Sequence, residues 1–119
     1  MDGNDATERD AGWTPLNATS MHPEYPSAAG ILAGAAAGVL HAVFGNGPAN
    51  FAVTDLFDPK LQRRYTSIAQ LDLEQKEIRI WGGVHFRNSL DVGDAMGRRI
   101  ADHLVGNYLK PVQRTADAR

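Results

Sequence analysis

Cysteine is missing from the 119-residue sequence, so neither a disulfide nor a thiolate metal site is open to it. That absence by itself identifies no compartment. Residues 25 to 54 contain no Asp, Glu, Lys or Arg. Pro26 and Pro48 interrupt the uncharged window and most of its apolar positions are Ala or Gly, so no membrane span is expected from it. Basic stripes are lacking too. With a net charge of -2, the doublets Arg63-Arg64 and Arg98-Arg99 read as solvated surface, and nucleic acid is not an expected partner. The opening MDGNDATERD is acidic and polar, the reverse of a secretory signal, and a cytoplasmic location follows as the expectation. No internal repeat or low-complexity block is visible.

What remains is 43% hydrophobic and 22% charged, ordinary for one globular domain. Residues 1–12 read as a flexible leader, 13–111 as a helical domain and 112–119 as a flexible tail. Pro15, Pro23 and Pro26 keep residues 13–26 extended, so that segment has to lie along something already folded. Ser27 is a good N-cap for a helix over 28–44, stopped by Gly45-Asn46-Gly47-Pro48. Its Ala and Gly let neighbouring helices approach on more than one side, which makes it the central helix, and His41 is expected to pack. FAVTDLF at 51–57 alternates loosely and reads as extended or as a short strand-like connector, followed by a polar linker over 60–65. Ser67-Ile68-Ala69-Gln70 has the capping-box pattern and starts a second helix of about a dozen residues that ends by presenting Arg79. Ile68, Leu71 and Ile78 are its expected buried side; Glu74, Lys76 and Glu77 are expected to face water. Asn88 or Ser89 should cap a third helix, in which Val92, Met96, Ile100, Leu104 and Tyr108 recur every fourth residue until Pro111. Three helices without convincing paired strands predict an all-α helical bundle. Ala-rich packing buries modest apolar area, so self-association or a partner chain is expected to complete the core.

The chemistry is concentrated in Arg79-Ile80-Trp81-Gly82-Gly83-Val84-His85-Phe86. A guanidinium offers a planar fork of donors to an oxyanion, and Gly82-Gly83 let backbone N–H groups approach one without a Cβ in the way. His85 adds an imidazole nitrogen able to act as nucleophile or ligand. The plainer alternative is a helix end, a connector and a packed histidine. Ser27 likewise either caps its helix only or shares its first-turn N–H groups and dipole with an anion. His22, beside prolines, is either surface or a proton carrier.

Together, His22-Pro23-Glu24-Tyr25-Pro26-Ser27-Ala28-Ala29-Gly30 and Arg79 six residues before His85 resemble the second and third signature motifs of the vanadium-dependent haloperoxidases. That family shares a helical fold and an anion site with the type 2 phosphatidic acid phosphatases. The resemblance runs over roughly residues 12–111, as the C-terminal part of the family domain. It implies that His85 is the axial vanadate ligand, or the phosphorylated nucleophile in the phosphatases, with Arg79, the Ser27 hydroxyl and Gly83 contributing to vanadate or phosphate binding. In complete members, vanadate and hydrogen peroxide together oxidise halide. Three departures stand against full activity. Ala29 occupies the position of the acid–base histidine, whose loss costs a rate about 10² to 10⁴. Ile78 replaces a frequent serine, and the first motif, a lysine seven residues before an Arg-Pro pair, is absent. The expectation is an oxyanion-binding protein that is degenerate or depends on a partner chain for the missing motif. The alternative is a non-catalytic helical subunit or pseudoenzyme acting in protein interaction, and phosphomonoester hydrolysis is disfavoured by Ala29.

Overall fold

The computed structural model describes residues 5–108 and Lys110. Pro111, the 112–119 tail and the first four residues of the leader lie outside them. Three helices and one hairpin follow in the order α1 (Ala28–Phe44), β1 (Phe51–Thr54), β2 (Gln62–Tyr65), α2 (Ile68–Trp81) and α3 (Arg87–Asn107). The architecture is the expected helical bundle. Among the described residues no helix is long and apolar enough to cross a membrane.

α1 starts where the Ser27 hydroxyl accepts the Gly30 N–H at 3.2 Å, and it stops at Gly45, whose φ of 79° lies in the left-handed region that glycine enters freely. Its main partner is α3, and the two helices meet through their smallest residues. Gly30, Gly34 and Gly38 face Gly93, Gly97 and Ala101, so closely that a Cβ on Gly97 would overlap the carbonyl oxygen of Ile31 and one on Gly34 that of Asp94. Leu90, Ala37 and Ala101 are buried along this seam. α3 therefore buries a different face from the one suggested by its large apolar residues, turned by about a quarter of the helix: Met96, Ile100 and Leu104 are exposed. Two four-residue periods compete on that helix. The glycine period wins because it brings backbone against backbone and gains dispersion contacts along the whole seam.

The start of α3 also differs from expectation. Phe86 occupies the N-cap position without a side-chain cap, while Ser89 is buried inside the helix. His41 does not pack in a core; its Nδ1 lies 3.3 Å from the Gly45 carbonyl at the end of α1.

The stretch expected as connector and linker is an antiparallel hairpin, with Phe51 opposite Tyr65 and Thr54 opposite Gln62. The sequence Gln62-Arg63-Arg64-Tyr65 conceals its strand because three of the four side chains are polar and exposed. Pairing is set instead by the stacked Phe51 and Tyr65 rings, 5.5 Å apart, and by Asp55, whose carboxylate accepts the N–H groups of Phe57 and Asp58 in the turn.

At the start of α2, the Ser67 hydroxyl accepts the Gln70 N–H at 3.1 Å and the Gln70 side chain reaches back to the Thr66 N–H at 2.8 Å. Ser67→Ala removes the first of these bonds. It is expected to cost about 1 kcal/mol, read as a lower midpoint in chemical denaturation. Of the side expected to be buried, Ile68 is buried but Ile78 is exposed, and Asp72 is the other buried residue of the helix. The charges expected in water bridge α2 to its neighbours. Lys76 pairs with Asp94 at 3.2 Å, Glu77 with Arg87 at 2.6 Å and Glu74 with Arg63 at 2.8 Å. Arg98, read as solvated surface, pairs with both Asp72 and Asp94.

Candidate functional site

α2 ends in a tight turn that brings its last residues back toward the start of α3. The Gly82 N–H donates to Ile78 O, the Gly83 N–H to Ile80 O and the Val84 N–H to Arg79 O, at 2.9, 2.9 and 3.1 Å. Gly83 has a φ of 72°, and a Cβ there would strike the Trp13 ring. Gly83 is thus a turn former against which Trp13 lies, and its N–H is engaged inside the turn. The extended segment that begins at Trp13 lies along this turn, its Asn17 N–H donating to Gly82 O at 3.4 Å.

Further along, the same segment is fastened to α3. The Glu24 carboxylate meets His85 Nδ1 at 3.2 Å, and the same oxygen accepts the Phe86 N–H at 3.0 Å. The Ser89 hydroxyl donates to Glu24 O at 2.6 Å, and the Ser27 N–H donates to Ser89 O at 3.1 Å. These four bonds hold residues 24–27 against residues 85–89. Ser27, fully buried, and His85, with a side chain only 1% exposed, share one neighbourhood at the α1 N-terminus. Burial works to raise the Glu24 pKa, but the Phe86 N–H and the His85 ring outweigh it and hold the carboxyl below its ordinary 4.5.

Two polar atoms in this region are buried without a hydrogen-bond partner among the described residues: Arg79 Nε and His85 Nε2. A buried polar atom without a partner is costly, and native proteins seldom tolerate one unless it has a use. The Ser27 hydroxyl accepts from Gly30 and keeps its own proton to donate, and the first-turn N–H groups of α1 add the positive end of the helix dipole. A bare imidazole nitrogen and a hydroxyl near a helix N-terminus are groups that suit an oxyanion, and a buried guanidinium nitrogen is a donor of the same kind. Ala29, in the first turn of α1, contributes a methyl group and no proton carrier. His22 is exposed yet stacks on His85, ring centroids 5.9 Å apart, closer to the site than its proline-rich surroundings suggested. Glu24 is the residue in contact with His85 that sequence reasoning passed over. Its signal was its place as the last charge before the uncharged window.

Residues 1–114 match the family model described as the VCPO second helical-bundle domain. No curated protein sequence matches the chain. Among solved structures, it is similar to a bacterial vanadium-dependent iodoperoxidase, with 33% identity and a TM-score of 0.71 over 79% of this chain and 23% of that one. A holo-type bacterial vanadium-dependent chloroperoxidase shares the fold at 22% identity, with a TM-score of 0.62 over 76% of this chain and 22% of that one. The chain spans less than a quarter of the length of either protein. With the family model matched from end to end of the helical bundle, the chain belongs to the VCPO second helical-bundle domain family, within the vanadium haloperoxidase superfamily.

Proposed function

We propose that this chain provides part of an oxyanion site, for vanadate or phosphate, in a vanadium-haloperoxidase-like protein. The observation that supports it is that Arg79 Nε and His85 Nε2, six residues apart across the turn that ends α2, are both buried without a hydrogen-bond partner among the described residues. His85 would hold the anion through Nε2, Arg79 and the Ser27 hydroxyl would donate hydrogen bonds to it, and Gly83 shapes the turn between Arg79 and His85. A bound vanadate supplies the Lewis-acidic centre at which peroxide is activated for halide oxidation. The chain's own residues hold the anion and exclude water from it, but they do not complete the chemistry. One guanidinium leaves a multiply charged oxyanion under-compensated in a dry pocket, and Ala29 moves no proton. The missing cations therefore come from outside these 119 residues: a further part of a longer polypeptide, a second copy or a partner chain.

Binding to the native state alone must raise apparent stability, by about 2.7 kcal/mol at a hundredfold excess over Kd. Orthovanadate or phosphate is expected to raise the thermal midpoint of the wild type, and His85→Ala to lose that rise. No shift in the wild type, or an equal shift in the variant, refutes the anion site. A second reading, a non-catalytic helical subunit, draws support from the exposed Met96, Ile100 and Leu104 on α3, a face suited to another protein surface. Light scattering separates it: a stable monomer that adds no partner removes the need for a completed core.

A further inference from the structure

We propose that Glu24 is the positioning residue for His85, fixing its ring as the Nδ1–H tautomer and leaving Nε2 as the bare nitrogen; this rests on the oxyanion reading above. A neutral imidazole has one donor and one acceptor nitrogen, so whichever atom is given an acceptor partner keeps the proton. Here the partner is a carboxylate. Glu24 Oε1 lies 3.2 Å from His85 Nδ1, and a carboxylate is acceptor-only, so the proton between them sits on the ring. Nε2, buried and without a partner, then presents its lone pair.

Glu24 is itself restrained at both ends. Its side-chain oxygen also accepts the Phe86 N–H at 3.0 Å, and its carbonyl accepts the Ser89 hydroxyl at 2.6 Å. The ring, in the turn just before α3, is thus held by the segment that leads to Ser27. A carboxylate on the far nitrogen of a ligating histidine also raises the basicity of the near one, so it both orients the ligand and strengthens it. Glu24 touches no reacting atom in this arrangement and acts through His85 alone.

Proton–nitrogen correlation spectra of the full chain decide it, with the His85 ring assigned by its disappearance in His85→Ala. The wild type without any anion is expected to show His85 protonated at Nδ1. Glu24→Ala is expected to move the proton to Nε2 and to weaken phosphate or vanadate binding by about 10- to 100-fold. Glu24→Gln keeps an acceptor oxygen and is expected to retain the tautomer, with a smaller loss of affinity. A wild-type ring protonated at Nε2, or a Glu24→Ala ring unchanged, overturns the proposal. Should Glu24→Ala fail to fold, the wild-type and Gln spectra still decide between the tautomers. The ring is read without anion, so a wild type that keeps Nδ1–H but binds no phosphate supports the hold of Glu24 on His85 while removing the oxyanion reading.

Discussion

Gly97→Ala is expected to lower the thermal midpoint by roughly 5–10 °C, from about 1–3 kcal/mol of overpacking at the α1–α3 seam. A Cβ at this position meets the Ile31 carbonyl oxygen, the Ala35 nitrogen and the Gly34 carbonyl carbon, all of them backbone. No rotamer change can relieve a clash with backbone, so one helix has to move away from the other. Gly106, in the same helix, is the internal control: nothing lies within 4 Å of a Cβ built there. Gly106→Ala is expected to be neutral or to stabilise by about 0.5–1 kcal/mol, since alanine loses less entropy on entering a helix. Circular-dichroism melts of the two variants test the seam directly. Equal effects would mean that the small residues of α3 reflect composition only.

Lys76→Met is expected to cost about 3 kcal/mol near neutral pH, the lower end of what breaking a buried ion pair costs, because Arg98 still faces both carboxylates. The side chains of Lys76, Asp72 and Asp94 are 14%, 5% and 14% exposed, too deep for water to replace the lost partner. Burial, reinforced by Asp94, raises the Asp72 pKa above its ordinary 3.8, with Lys76 and Arg98 opposing. A raised carboxyl pKa means that the native state keeps its proton to higher pH than the unfolded chain does. The contribution is therefore favourable in acid and is lost as pH rises from 3.8 through the native value. Removing Lys76 deletes one of the opposing charges, so this downward slope steepens. Adding Asp72→Asn to Lys76→Met restores a balanced Arg98–Asp94 pair and is expected to recover most of the loss. Denaturation midpoints against pH check both; a loss independent of pH would assign Lys76 a packing role through its methylenes instead.

The helices were legible where a local signal was enough. Ser27 and Ser67 cap the helices they were expected to cap, and α1 runs over the residues its stop signal defines. Legibility failed where two signals competed or where the deciding partner was distant in sequence. On α3 the large apolar residues suggested one face, and only the spatial opposition of Gly93 and Gly97 to Gly30 and Gly34 shows why the other is buried. The hairpin was concealed because its second strand consists of Gln62, two arginines and Tyr65, and the stacking partner of Tyr65 is Phe51, across the whole hairpin. At the candidate site, the two spaced residues Arg79 and His85 were visible in the sequence, and both are left with an unpartnered buried nitrogen. Glu24 was not singled out, since a contact across 61 residues leaves no periodic trace. For the same reason the sequence left His22 open between surface and proton carrier; it is exposed, with its ring against His85.

The seam of Gly30, Gly34, Gly93 and Gly97 also bears on how the proposed anion site can change over evolutionary time. Ser27 stands at one end of a joint in which main chain touches main chain, and its N–H is tied to Ser89 across that joint. Such a joint has no side chains to trim or enlarge, so the spacing between hydroxyl and imidazole is inherited as a fixed length. A change of side chain at position 29, in the first turn of α1, can then add or remove a functional group there while the distance between the main chains of α1 and α3 stays set.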